Sequence, residues 1–362
     1  MKLEVNGVQY FNFTSASCEI RLDSLCNRFS FTAVAPDANP LPFKGGEACK
    51  VIVSDETVLT GSIEVVDVDY DGSDHTITIQ GRDKTADLLD SMIDVIDDIR
   101  TDGLTLKSLI EKVISKLGLD IQVIDEANPE PFNSAEDIAA PEKAENAFRF
   151  IERYARKRQV LLTSNGDGNI VITKNSGITA EGAVQHITGA EDNNVMSCNF
   201  SYDTTGRFNV YKISSGLNPV ALNEAGDTDL ASLVNQSGGV FDKEIREGRQ
   251  LIIISETPYS DSQCKSRSQW EADVRRARGL VYSATVPGYR VGGNEGALWN
   301  INRLYQIVDD FVGKVEPMLC NSVAYTYDLS SGSNTNLGFV GKNAYTVFLE
   351  PDPTVSEASN IA

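Results

Sequence analysis

Asp67-Val68-Asp69-Tyr70-Asp71-Gly72 sets acids at alternate positions ahead of a glycine, the opening of a calcium loop of the EF-hand kind. The twelfth position, where such a loop needs a bidentate carboxylate, is Thr78, and the flanks alternate like strands instead of reading as helices. The segment is better explained as a β-hairpin with its tip at Asp71-Gly72. A second acidic run interleaves Asp87, Asp90, Asp94, Asp97 and Asp98 with Leu88, Leu89, Met92, Ile93 and Ile96. On a helix Asp90, Asp94 and Asp98 stack at i,i+4, each like-charge pair costing about 0.2–0.5 kcal/mol. With no glycine-rich phosphate loop beside it, the run reads as the solvated face of a weak helix and not as a magnesium site.

The commonest general base and metal ligand is scarce, since His75 and His186 are the 2 histidines of the chain. Each borders strand-like residues and reads as an edge residue. The 6 cysteines, Cys18, Cys26, Cys49, Cys198, Cys264 and Cys320, are scattered without a C-x-x-C pair, so neither a zinc ribbon nor a dithiol motif is spelled out. They read as reduced thiols. No nucleophile elbow, Walker loop, dinucleotide fingerprint or H-E-x-x-H motif occurs. A hydrolytic Asp/Glu pair is the remaining catalytic option, but among 52 acidic residues no pair is singled out. The sequence therefore calls for no cofactor, no metal and no catalytic residue. One cationic cluster stands out: Arg275-Arg276-Ala277-Arg278 closes a helix, where the macrodipole favours positive charge. In so acidic a chain these arginines could also pair with carboxylates of a neighbouring subunit.

A length of 362 residues asks for two or three domains, and 41% hydrophobic with 23% charged residues is close to the globular average. The net charge of −20 repels phosphate backbones, which disfavours stable nucleic-acid binding and leaves room for transient passage of DNA. The first residues, Met1-Lys2-Leu3-Glu4-Val5-Asn6-Gly7, do not read as a signal peptide, and no apolar run approaches the ~18 residues of a membrane span.

The elements that must hold these residues fall into blocks. Residues 1–88 alternate apolar and polar positions in short strands, beginning with a hairpin at Asn6-Gly7 and continuing through Ile20/Leu22, Phe29/Phe31, Val51-Ile52-Val53, Ile63 to Val65 and Ile77/Ile79. The period then changes. Leu106, Leu109, Ile110, Val113, Ile114 and Leu117 predict a helix capped by Thr105 and stopped by Gly118. A second helix is expected from Pro141, with Ala144, Ala147, Phe148, Ile151, Tyr154 and Ala155 on one face, followed by a hairpin at Asn165 to Asn169. Strand signals resume near residue 195. A polar stretch from Ser214 to Gly239 reads as a loop, residues 261–278 as a helix N-capped by Asp261, and Leu251–Ile254, Val281–Val291, Leu304–Val308, Leu319–Tyr327 and Tyr345–Leu349 as strands. The expected fold is α+β, mainly β: two small antiparallel β-barrel domains with an inserted α+β domain. The first barrel takes residues 1–88 plus about 192–225, the insertion 89–191, the second barrel with a small accessory part 226–350, and 351–362 form a flexible tail. Trp299, beside Leu298, Ile301 and Leu304, is expected to be buried where the second barrel closes.

Gly81-Arg82-Asp83-Lys84-Thr85-Ala86-Asp87-Leu88 resembles a Gly-Arg-x-Lys-Thr-Ala-Asp-Leu segment of the baseplate hub proteins of Mu-type contractile phage tails. Val58 to Ile63, Trp270 to Arg278, Leu298-Trp299-Asn300-Ile301-Asn302-Arg303-Leu304, Val308-Asp309 and Met318-Leu319 are similar to further motifs of that family in the same order, from about residue 3 to residue 349. The chain departs from the family where Gly341 to Tyr345 stands in place of Pro-Asp-Ala-Phe, and in the acidic run after Leu89. The resemblance implies a structural protein of the virion's tail baseplate, assembled in the host bacterial cytoplasm. It implies a homotrimeric ring around the DNA channel, in which two similar barrels per chain adapt the sixfold tail tube to the threefold central spike, with baseplate wedge proteins around it. Arg82, Lys84, Arg275, Arg276, Arg278 and Trp299 are the candidate interface residues. The alternatives are a tail-associated cell-wall hydrolase using an Asp/Glu pair, and the hub or spike component of a related contractile injection or secretion machine.

Overall fold

The computed structural model describes residues 1–34, 43–71, 75–94, 104–132, 141–142, 144–215, 237–255, 259–293 and 295–345. Asp97 and Asp98 of the acidic run, most of the Ser214 to Gly239 loop, the end of the strand expected at Tyr345–Leu349, and the tail lie outside these residues.

The first block forms β1 (Lys2–Val5), β2 (Val8–Tyr10), β3 (Ser15–Arg21), β4 (Arg28–Val34), β5 (Ala48–Val53), β6 (Glu56–Tyr70) and β7 (His75–Asp83). Asn6 and Gly7 both take positive φ, 52° and 79°, as the β1–β2 hairpin turn requires. The calcium-loop pattern dissolves in the β6–β7 hairpin, where Asp67 and Thr78, the supposed first and twelfth ligands, are cross-strand neighbours.

The insertion contains α1 (Ala86–Asp90), β8 (Met92–Ile93), α2 (Leu106–Leu117), β9 (Val123–Asp125), β10 (Glu145–Asn146), α3 (Ala147–Lys157), β11 (Leu161–Ser164) and β12 (Ile170–Thr173). In α2 the Thr105 side chain accepts from the Ser108 amide and Gly118 closes the helix at φ 68°, as expected. The helix expected from Pro141 starts instead at Ala147. Ala144 takes φ 55°, which a helix cannot continue through, and the Asn146 side chain caps the Arg149 amide. The helix expected to carry Asp90 and Asp94 on one face stops short of Asp94, because α1 ends at Asp90 and the chain turns extended at β8.

The last block is β13 (Thr179–His186), β14 (Ser197–Tyr202), β15 (Val210–Ser214), β16 (Ser237–Phe241), β17 (Gln250–Ile254), α4 (Asp261–Arg278), β18 (Leu280–Pro287), β19 (Leu304–Asp309), β20 (Lys314–Asp328) and β21 (Gly332–Gly341). The N-cap of α4 is Ser260 and not Asp261: its hydroxyl takes the Gln263 amide while the Gln263 side chain returns to the Ser260 amide, a complete capping box. Ser197–Tyr202, placed by sequence with the first barrel, pairs along its length with β18 of the second unit.

The two β units repeat one strand plan. In the first, β6 is a 15-residue strand flanked by β5 and β7, with β4 next to β7 and β3 beyond. In the second, β20 is again 15 residues long, flanked by β19 and β21, with β18 next to β21 and β14 beyond. Each long strand shifts register against its C-terminal partner, between Ile63 and Val65 in one and between Cys320 and Ser322 in the other. Such bulges bend a long strand so that both its halves can pair. The units are then sewn edge to edge, since β20 pairs antiparallel with β3 over seven residue pairs, from Ser322↔Arg21 to Asp328↔Ser15. The result is a single 13-stranded sheet over one shared core containing Leu3, Phe29, Phe31 and Ile79 from the first unit and Tyr282, Trp299, Tyr305 and Phe339 from the second. No helix among the described residues is long and apolar enough to cross a membrane.

Candidate functional site

The segment Gly81 to Leu88 is the joint between the first β unit and the insertion, and most of its residues pack or bond across that joint. Gly81 lies where β4, β6 and β7 crowd together: a Cβ there would come within 2.2 Å of the Ser62 carbonyl oxygen and 2.5 Å of the Phe29 ring. Only glycine fits. Arg82 reaches outward and bridges two carboxylates, Glu64 on β6 at 2.7 Å and Asp90 at the end of α1 at 2.5 Å, which raises its pKa further through charge-assisted hydrogen bonds. Lys84 lays its Cβ and Cγ against Gly168 in the β11–β12 turn, so its stem covers the insertion.

Asp83 is 2% exposed and gathers four donors. Its Oδ2 takes the Asn27 amide at 2.9 Å and the hydroxyl of Ser164; its Oδ1 takes the Thr85 amide at 3.0 Å and the Thr85 hydroxyl at 2.5 Å. The Asn27 side chain closes the ring by donating to the Ser164 oxygen at 2.8 Å. Asn27 and Asp83 belong to the first unit and Ser164 to the insertion, so one carboxylate holds both. Burial pushes the Asp83 carboxyl up, against the four hydrogen bonds that pull it down. Leu25 from the β3–β4 turn and Leu88 from α1 enter the insertion's core, and the Thr60 hydroxyl donates to the Gly166 carbonyl at 2.7 Å across the same seam.

The candidate interface residues divide. Trp299 is 1% exposed, its ring tilted against that of Tyr305 with centroids 5.0 Å apart, and its carbonyl accepts the Tyr325 hydroxyl. Its indole is core of the single chain. Among the arginines closing α4, Arg275 pairs with Glu271 at 3.2 Å, Arg276 with Asp242 at 3.5 Å and Asp273 at 3.6 Å, and Arg278 with Asp23 of the β3–β4 turn at 3.4 Å. Each thus has a carboxylate within its own chain, and Arg278 links the second unit to the first. Sequence reasoning missed two further centres. Arg207, 1% exposed, holds Asp242 at 2.8 Å and anchors the small sheet of β15, β16 and β17. His186, expected as an edge residue, faces Asp309 and Asp310. His75 does sit at an edge, stacked 5.8 Å from Tyr70. A cleft of about 60 Å³ between α3 and the small sheet is lined by Arg153, Arg156, Tyr259 and Arg267, room for a water or two. Two of its arginines are tied off by Glu145 and Glu271.

Two β units of one plan, sewn by a shared ladder and carrying a small domain at a joint, make up a fold shared with phage tail proteins. Residues 1–83 match the N-terminal domain of the Mu phage baseplate assembly protein GpP-like family, residues 85–174 the second domain of the baseplate hub protein gp44-like family, and residues 260–347 the fourth domain of Mu phage baseplate assembly protein GpP. The chain is 24% identical over 352 residues to baseplate hub protein gp44 of Escherichia phage Mu, covering 97% of this chain and 90% of that protein. The 43 kDa tail protein of prophage MuSo2 from Shewanella oneidensis superposes with a TM-score of 0.79 at 29% identity, over 95% of this chain and 98% of that one. A type VI secretion component of E. coli shares the fold at 11% identity and a TM-score of 0.59, over 94% of this chain and 77% of that one. The chain belongs to the Mu-type contractile phage tail baseplate hub proteins.

Proposed function

We propose that this hub is a homotrimeric ring that adapts the sixfold tail tube to the threefold central spike, with baseplate wedge proteins around it, and does no chemistry of its own. The observation that carries the reading is the repeated strand plan, β5-β6-β7-β4-β3 in one unit and β19-β20-β21-β18-β14 in the other. Two like units per chain give three chains six similar surfaces for a sixfold ring, while a threefold partner meets one surface per chain. The β3–β20 ladder supports this, because the two docking surfaces must not move relative to one another. A net charge of −20 suits a channel wall along which DNA passes without condensing on cations.

We assign the subunit contacts to the α4 end, through Arg276 and Arg278, whose side chains are 44% and 51% exposed, and to the surface carrying Arg82 and Lys84. In domain terms we divide the chain into the first β unit, the insertion from α1 to β12, and the second unit with β14 and the small sheet as parts of it. Assembly takes place in the host cytoplasm before the hub enters the virion. Sedimentation of the purified chain, alone and with its spike, tests the reading: a species near three times 39.4 kDa supports the ring. Release of soluble fragments from labelled peptidoglycan by the purified chain would replace it with the hydrolase reading.

A further inference from the structure

We infer that His186, Asp309 and Asp310 form a binding site for a divalent first-row transition metal, with zinc as the reference ion. The site arises from topology: β13 and β19 run parallel, and His186 at the end of one is the register partner of Asp309 at the end of the other. One imidazole nitrogen and two carboxylate oxygens come within 4.8 Å of one another. Ligands about 2.0–2.2 Å from one common centre stand at most about 4.4 Å apart, and both separations from the imidazole fall inside that limit. His186 Nδ1 lies 3.5 Å from an Asp309 oxygen and 3.9 Å from an Asp310 oxygen. These separations are long for hydrogen bonds and suit donors converging on a third atom.

Both carboxylates are fixed by the fold before any ion arrives. Asp309, 2% exposed, takes the Tyr282 hydroxyl at 2.8 Å on one oxygen and the amides of Phe311 and Val312 at 3.1 Å and 3.2 Å on the other. Asp310 takes the Thr188 amide at 2.9 Å and the Thr188 hydroxyl at 3.1 Å. Supporting hydrogen bonds of this kind hold ligands in place around protein-bound metals. The outer side is open, with His186 38% and Asp310 45% exposed, so water completes the coordination. An imidazole beside two carboxylates selects zinc, cobalt or nickel over calcium and magnesium, which take all-oxygen sets. An ion here would clamp β13, whose register slips between Thr179 and Ala183, onto β19.

Calorimetric titration of the metal-free full chain with Zn2+, and absorption spectra with Co2+, test the assignment. One ion per chain is expected, without the near-ultraviolet band that a thiolate ligand gives to cobalt. His186→Ala, its near-isostere His186→Asn and Asp310→Asn each bind at least tenfold more weakly, while His75→Ala and Cys198→Ser bind like wild type. Wild-type protein that takes up neither ion at micromolar concentration overturns the site. So does undiminished binding in both His186 variants, or binding lost in Cys198→Ser.

Discussion

Replacing Asp83 is the sharpest perturbation of the joint. Asp83→Ala removes the acceptor for the buried amides of Asn27 and Thr85, and for the hydroxyls of Ser164 and Thr85. The Thr85 hydroxyl has a second acceptor at 2.9 Å in the Leu25 carbonyl, so the two amides dominate the loss. Two orphaned buried donors at about 1–3 kcal/mol each predict a destabilisation of about 2–6 kcal/mol. Asp83→Asn keeps one accepting oxygen but turns an NH2 toward a donor, and should cost about 1–3 kcal/mol. Urea unfolding measures the total, and amide exchange across residues 21–30 and 80–90 locates it. The pH dependence has a definite sign. Burial raises the folded carboxyl above its unfolded value of 3.8, so the native state holds the extra proton between the two. Asp83's contribution to stability is therefore full below the unfolded value and declines as pH rises through the folded one. The advantage of wild type over Asp83→Asn should shrink from pH 4 upward. Asp83→Ala within about 1 kcal/mol of wild type, with unchanged exchange at the joint, would refute the reasoning.

Other consequences are equally concrete. Trp299→Ala should cost about 3–5 kcal/mol, as large aromatic truncations in cores do, and a melting temperature equal to wild type would contradict its place in the shared core. Gly81→Ala must displace the Ser62 backbone or the Phe29 ring and should lower stability by about 1–3 kcal/mol; an unchanged urea midpoint would show that the strands yield. Iodoacetamide at pH 8 should reach exposed Cys198 first, because burial pushes the Cys26 and Cys49 thiols up to about 12, and equal labelling rates would disprove that ordering. Arg278→Glu sets an acid against Asp23 and should weaken assembly while leaving circular dichroism unchanged, whereas full incorporation into baseplates would remove Arg278 from the contacts.

Where periodicity and caps agreed, the fold was legible: α2, with its apolar stripe between Thr105 and Gly118, stands as its spacing dictates. Elements fixed by partners were not. β21 reads Gly-Ser-Asn-Thr-Asn-Leu-Gly-Phe-Val-Gly, poor strand composition, yet it sits between β18 and β20. At Gly338 a Cβ would fall 2.2 Å from the Ser322 hydroxyl at the bulge, so a larger residue would have to turn that side chain aside. Pro141 suggested a helix start that a positive φ at Ala144 and the Asn146 cap moved downstream. The weight of Asp83 and the convergence of His186 on Asp309 were invisible for a different reason. Their partners lie 56, 81 and 123 residues away, and no local pattern encodes such pairings.

The number and setting of copies in an assembled baseplate decide most directly whether the hub is a threefold adaptor. Electron microscopy of tails carrying this chain should find three copies around the axis, their first and second β units alternating as six similar surfaces beneath the tube and the α4 ends between neighbouring subunits. Six copies, or three copies in which only one β unit meets the tube, would contradict it.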